Sequence, residues 1–115
     1  MSEERDRRNL AYILESIEFI ERWTVSGRGA FLIDELVQSA TLYRLETLAE
    51  AAGKLSSELR DRHRHMPWRD ITDFRNRVSH GYLDLDLDLV WRVIEIDLPV
   101  LKRIVEVEME RSGSG

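Results

Sequence analysis

The sequence predicts an all-α protein, an antiparallel bundle of four to five helices, and three observations carry that prediction. Apolar residues recur at helical spacing in four separate stretches. The glycines and the two prolines mostly fall between those stretches. The one alternating stretch, YLDLDLDLV at 82–90, has no second strand to pair with, so a strand reading of it fails. At 115 residues the chain is long enough for one core and too short for two. The expectation is a single helical domain over residues 1–110 and a disordered tail over 111–115, RSGSG.

The first helix is expected from about Arg5 to Trp23, with Leu10, Ile13, Leu14, Ile17 and Ile20 on one face, and it stops at SGRG. The second, from about Phe31 to Leu55, carries Ile33, Leu36, Val37, Ala40, Tyr43, Leu48 and Ala51. It is apolar over more of its circumference, which places it centrally. The stretch SSELRDRHRHM reads as a short helix or an irregular connection, closed by Pro67. Pro67 can begin a third helix, about Pro67 to Ser79, with Trp68, Ile71, Phe74 and Val78 inward and Gly81 as a left-handed cap. Asp86 or Asp88 can cap a fourth helix that runs to about Met109. Its apolar stripe is Leu87, Val90, Trp91, Ile94, Leu98, Leu101, Ile104 and Val105. Pro99 lies inside it, so a kink near residues 95–99 is expected. Trp68, Phe74 and Trp91 are assigned to the core.

Composition narrows the function classes. There is no cysteine, which removes disulfides, thiolate nucleophiles and cysteine zinc sites together. No run approaches the roughly 20 apolar residues of a membrane span, and the charged start MSEERDRRNL is unlike a signal peptide, so a soluble cytoplasmic protein is expected. The net charge of −5 argues against a broad nucleic-acid surface. Residues 57–80 run the other way: six arginines, all three histidines and four acids give a local charge of +2. Arginine outnumbers lysine 15 to 2, which favours bidentate recognition of phosphate or carboxylate. A solvated helix face is the plainer reading of such a run.

Chemistry concentrates in DFRNRVSHGY, residues 73–82, where a cation, an amide, an imidazole and a phenol fall between Arg75 and Tyr82. An arginine five residues before a histidine is weak evidence alone, and Arg60 with His65 is a second case. Context separates the two: Arg75 is followed by Asn76, and Tyr82 stands two residues after His80. Arg75 and His80 lie about 140° apart on an ideal helix, so they cannot share a face there. A chain turn at Gly81, or a second subunit across a two-fold axis, can bring them together, and the dimer is favoured. Such a set could support metal-independent RNA cleavage. His80 would move protons, Arg75 would stabilise charge on the phosphorane, and Asn76 would orient either the imidazole or the phosphate. Each residue also has a structural alternative: His80 at a helix terminus, Arg75 and Arg77 in solvent, Asn76 as a spacer, Tyr82 in packing. No metal site and no cofactor are expected, because His63 and His65 fall on opposite sides of any helix and no carboxylate stands at a ligand spacing.

PWRDITDFRNRVSHGY and DLDLVWRVIEIDLPVL resemble the signature region of HepT proteins in the HEPN superfamily: Arg-Asn, four residues between Arg and His, then Tyr two after the His. The likeness extends to Glu50-Ala51 in TLAEAAGKLS and to Asp97-Leu98-Pro99, and so covers nearly the whole chain. It implies a dimerising helical bundle with a metal-independent ribonuclease site at Arg75 and His80, Asn76 beside them, and toxicity to the host cell. It also implies a partner, a minimal nucleotidyltransferase antitoxin (MntA-like), that transfers AMP from ATP to Tyr82. Ala49 stands where the family commonly has Gly, which leaves the role of Glu50 open. Two alternatives remain: a non-catalytic helical module that binds the nucleotidyltransferase, with Tyr82 as its target, and a structural bundle with neither activity.

Overall fold

A 22-residue helix, α1 (Ser2–Trp23), organises the structure, and its buried face is the one the sequence predicts. Leu10, Ile13, Ile17 and Ile20 are buried and Leu14 is half-buried against them, because steps of three and four residues return to one side of a 3.6-residue turn. The computed structural model describes residues 2–79 and 84–114, the side chains of Ser2, Gly113 and Ser114 aside. Over them the protein is an all-helical bundle, with Ser79 and Leu85 forming an isolated antiparallel bridge.

The expected second helix is two. Asp34 is extended and its carboxylate accepts the Val37 N–H at 3.0 Å, so it ends α2 (Arg28–Ile33) and caps α3 (Glu35–Gly53). Gly27, at φ +92°, makes the turn into α2 that a residue with a Cβ rarely adopts. The apolar residues that spread around the circumference of the expected helix are not all buried. Ile33, Leu36 and Tyr43 are exposed, Val37 and Ala40 half-buried, and the buried set is Thr41, Leu45, Leu48, Ala49, Ala51 and Ala52. The helix still packs on several neighbours, α1 and α2 among them.

Cross-helix contacts fix the directions. The Tyr12 hydroxyl donates to Thr47 Oγ1 at 2.7 Å and Arg44 Nη1 donates to Ser16 Oγ at 3.2 Å, so α1 and α3 are antiparallel. Arg44 also lies over the Tyr12 and Phe19 rings. On the other side of α1, Lys102 donates to Glu21 at 2.9 Å while Arg7 and Glu108 line one cleft, so α8 (Leu98–Ser114) is antiparallel to α1 as well.

The basic stretch begins as a short helix, α4 (Ser57–Arg62), capped by Ser56, whose hydroxyl accepts the Leu59 N–H. Ser56 also donates through its N–H and hydroxyl to both oxygens of buried Asp6, at 2.8 and 2.6 Å. The expected third helix divides at Asp73, which leaves helical geometry (φ −99°, ψ 23°). The result is α5 (Trp68–Thr72), with Pro67 at its N-cap, and α6 (Phe74–Val78). The Asp73 carboxylate accepts from the Asn76 side chain. Ile71, Phe74 and Val78 are buried as expected. Trp68 is only half-buried, its indole N–H donating to the Arg60 and His63 carbonyls, the positions that such a ring needs. Helix α6 stops with Ser79 extended; Gly81, expected as the cap, lies outside the described residues.

Asp86 caps α7 (Leu87–Arg92) by accepting the Leu89 N–H at 3.0 Å. The kink expected at Pro99 takes the form of a π turn, Val93–Asp97, between α7 and α8. The wider turn relieves the clash of the proline ring with the preceding turn and the loss of its N–H. Helix α8 continues past Met109 to Ser114.

A second polar cluster ties α4 to α8. Buried Glu108 accepts two hydrogen bonds from Arg62, at 2.7 and 3.2 Å, and lies 2.6 Å from His63 Nε2, with Arg111 at 3.9 Å. The Arg62 hydrogen bonds, and then His63, hold the Glu108 carboxyl below its ordinary 4.5 although burial opposes them, and the same bonds raise Arg62. A depressed folded-state value means the stabilisation is present above pH 4.5 and is lost as pH falls through the folded-state value. Glu108→Ala should cost about 2 kcal/mol at neutral pH by urea denaturation, less than a wholly buried pair because Arg62 is partly exposed. The stability advantage of wild type over Glu108→Gln should shrink below pH 4.5; a pH-independent difference would contradict this role.

Candidate functional site

The geometry of α6 follows from two buried residues. Phe74 and Val78 are four apart and both point into the core, so they fix the rotation of this five-residue helix. Arg75 and Asn76 follow Phe74 by about 100° and 200° and are turned to solvent. Arg77 comes back towards the bundle and is half-buried. Helix α3 supplies the backing, running antiparallel to α5 and α6: Glu46 meets Arg75, and Gly53 lies beside Thr72.

The two arginines are held differently. Arg75 Nη1 donates to Glu46 Oε1 at 2.5 Å, with the arginine side chain 75% exposed. Such a pair is worth little in water and can be exchanged for another anion. Arg77 Nη1 donates to the Asp70 carbonyl at 3.1 Å and lies 3.7 Å from Asp97 Oδ2, with 26% of its side chain exposed. Asn76 Nδ2 donates to Asp73 Oδ1 at 2.6 Å, which holds its amide against the start of the same helix.

Of the residues that the sequence singles out, Arg75 and Asn76 are therefore adjacent and outward, Asn76 held by Asp73 and Arg75 paired with Glu46 across the fold. His80 and Tyr82 lie outside the described residues. The segment on either side of them is tied down: Asp86 N–H donates to the Val78 carbonyl at 2.7 Å, next to the bridge between Ser79 and Leu85. Glu50 is exposed and pairs with Lys54 at 3.5 Å, one turn along its own helix. Of the competing pair, Arg60 is half-buried, with its Nε enclosed, and His65 is exposed with its ring 6.0 Å from that of His63.

Sequence spacing did not point to Glu46, Asp97 or Glu108. Glu46 and Arg75 are 29 residues apart and Arg62 and Glu108 are 46 apart, so no local pattern marks them. Acids four residues from a base on one helix are common; acids that meet a base through the fold carry no such mark.

A cleft of about 410 Å³ opens elsewhere, between the ends of α1, α4 and α8, lined by Asp6, Arg7, Ser56, Arg62, Glu108 and Arg111 among others. No residue of α6 lines it. Its buried acids already have partners, which makes it a stabilising junction. Among the described residues no helix is long and apolar enough to cross a membrane.

The family model described as ribonuclease HepT-like matches residues 13–108. A protein of Methanocaldococcus jannaschii, named as a gamma-glutamylcyclotransferase and candidate RNase, is 35% identical over 102 residues. That alignment covers 88% of this chain and 46% of the relative, so the chain spans less than half of that protein. A probable ribonuclease HepT of Thermococcus cleftensis is 32% identical over 91 residues, 78% of this chain and 83% of the relative. A second candidate RNase of M. jannaschii is 28% identical over 105 residues, 90% of this chain and 96% of the relative. No solved structure matches significantly.

The exposed Arg75–Glu46 pair should contribute little to stability. Glu46→Ala should shift the unfolding free energy by no more than about 0.5 kcal/mol in urea melts. A loss above about 2 kcal/mol would mean that the pair is a structural strut and that Arg75 is not available to a ligand.

Proposed function

The chain belongs to the HepT-like ribonuclease family, and from that membership we propose that it is an RNA-cleaving toxin of a type VII-like toxin–antitoxin pair, working without metal through Arg75, Asn76 and His80. The observation that carries this reading is the family match over 13–108, a span that contains the Arg-Asn and His positions of the motif. The outward placement of Arg75 and Asn76 on α6 supports it.

In the proposed reaction the imidazole of His80 takes the 2′-hydroxyl proton, and the 2′-oxygen attacks the adjacent phosphorus. The bond to the 5′-oxygen breaks, that oxygen takes a proton from an acid, and a 2′,3′-cyclic phosphate remains. Arg75 leaves Glu46 and pairs with the equatorial oxygens, where charge grows. Asn76 orients the imidazole or the phosphate. A homodimer supplies two copies of the set, one His80 as base and the other as acid. RNA is the substrate, and the cytoplasm is the compartment in which it is met.

Control follows from Tyr82. A minimal nucleotidyltransferase partner (MntA-like) transfers AMP from ATP to its phenolic oxygen: the new oxygen–phosphorus bond forms, pyrophosphate leaves and the phenol loses its proton. An adenylyl group two residues from His80 puts negative charge and bulk where an RNA phosphate binds.

Purified protein in chelator should cut RNA, and Arg75→Ala or His80→Ala should lower kcat/KM by roughly 100-fold or more. Equal cutting by both variants would overturn the residue assignment. Incubation with the partner and ATP should place AMP on wild type and not on Tyr82→Phe, and modification of wild type should stop cleavage. Transfer of AMP to a protein that never cuts RNA would favour instead a non-catalytic module that binds the nucleotidyltransferase, a reading consistent with the net charge of −5.

A further inference from the structure

The π turn decides which residue of the last helix reaches α6. Val93 and Leu98 are both 2% exposed, and the Leu98 N–H donates to the Val93 carbonyl five residues back. In an unbroken α-helix the positions stacked on Val93 would be 96 and 97, three and four residues on. That register would press the Asp97 carboxylate towards the core. The extra residue of the π turn puts Leu98 in the buried slot instead and carries Asp97 to the rim, 3.7 Å from Arg77.

We propose that Asp97 is a positioning residue for the site on α6: through Arg77 it holds the roll of that helix and with it the direction of Arg75 and Asn76. The inference rests on the ribonuclease reading and adds a residue to it. Helix α6 has five residues, too few to be stable by itself, so its orientation is set by side-chain anchors. Phe74 and Val78 hold its buried face; Arg77, bonded to the Asp70 carbonyl and paired with Asp97, holds its flank. Both members of the pair are under a third exposed, unlike Arg75 and Glu46, so this contact is less screened by water. Asp97 does not itself touch RNA; it fixes the residue beside those that do.

The test compares wild type with Asp97→Asn, which keeps shape and removes charge, and Asp97→Glu, which restores it, in chelated RNA-cleavage assays and by amide hydrogen exchange. Circular dichroism and the urea midpoint establish that each variant is folded. Asp97→Asn should lower kcat about tenfold with KM within about twofold, because orientation is lost at the transition state more than binding. Amides 75–79 should exchange about tenfold faster in that variant while those of α1 hold, and Asp97→Glu should recover most of both effects. If wild type cuts and Asp97→Asn cuts equally well, or if exchange in α6 is unchanged, the positioning role is overturned and the ribonuclease reading stands. If wild type cuts no RNA, the ribonuclease reading falls and the positioning role with it.

Discussion

Burial of Phe74 and Val78 is the constraint on which the site depends. Two side chains four residues apart fix the rotation of a short helix as a pair of bolts fixes a bracket, and every other side chain of α6 takes its direction from them. Arg75 and Asn76 must then face water, and Arg77 must face the π turn that precedes α8. The bundle behind α6 serves this arrangement. Helix α3 lies along it, with Gly53 beside Thr72, and α1 holds α3 and α8 on its two sides.

Charge is distributed to the same end. Of the six arginines between residues 57 and 80, Arg62 is committed to Glu108, Arg77 to Asp97 and Arg75 to Glu46. The local excess of positive charge is therefore less open than the sequence makes it look. The three pairs differ in exposure: Glu108 is buried, Asp97 sits at a rim, and Glu46 is the most exposed of the three acids, paired with an exposed arginine.

What the sequence disclosed depended on whether a signal was local. The stripe of α1, the Asp86 cap and the disturbance at Pro99 are all written in residues within a turn or two of each other, and all are present. Asp34 was a local signal of the same kind, but the apolar residues on both sides of it, Phe31 to Val37, mimic a continuous helix and hide the cap. Ile33, Leu36 and Tyr43 consequently look like core in sequence and are exposed in the fold. At the candidate site, type and spacing single out Arg75 and Asn76 as candidates, and the family likeness was legible and is matched over residues 13–108. Glu46 was not, since only the antiparallel packing of α3 brings it to α6; Asp97 stood within the family likeness, but its pairing with Arg77 depends on the extra residue in the π turn and was not legible.

The proposed reaction would leave a chemical record in its products. If a base on the enzyme activates the 2′-hydroxyl, cleavage of a defined RNA in chelator must yield a 2′,3′-cyclic phosphate on one fragment and a 5′-hydroxyl on the other. A 2′-deoxy substitution at the cut position must then block that cut. Mass spectrometry of the fragments reads this directly. Ends carrying a 3′-hydroxyl and a 5′-phosphate, or a cut that survives the 2′-deoxy substitution, would contradict the account.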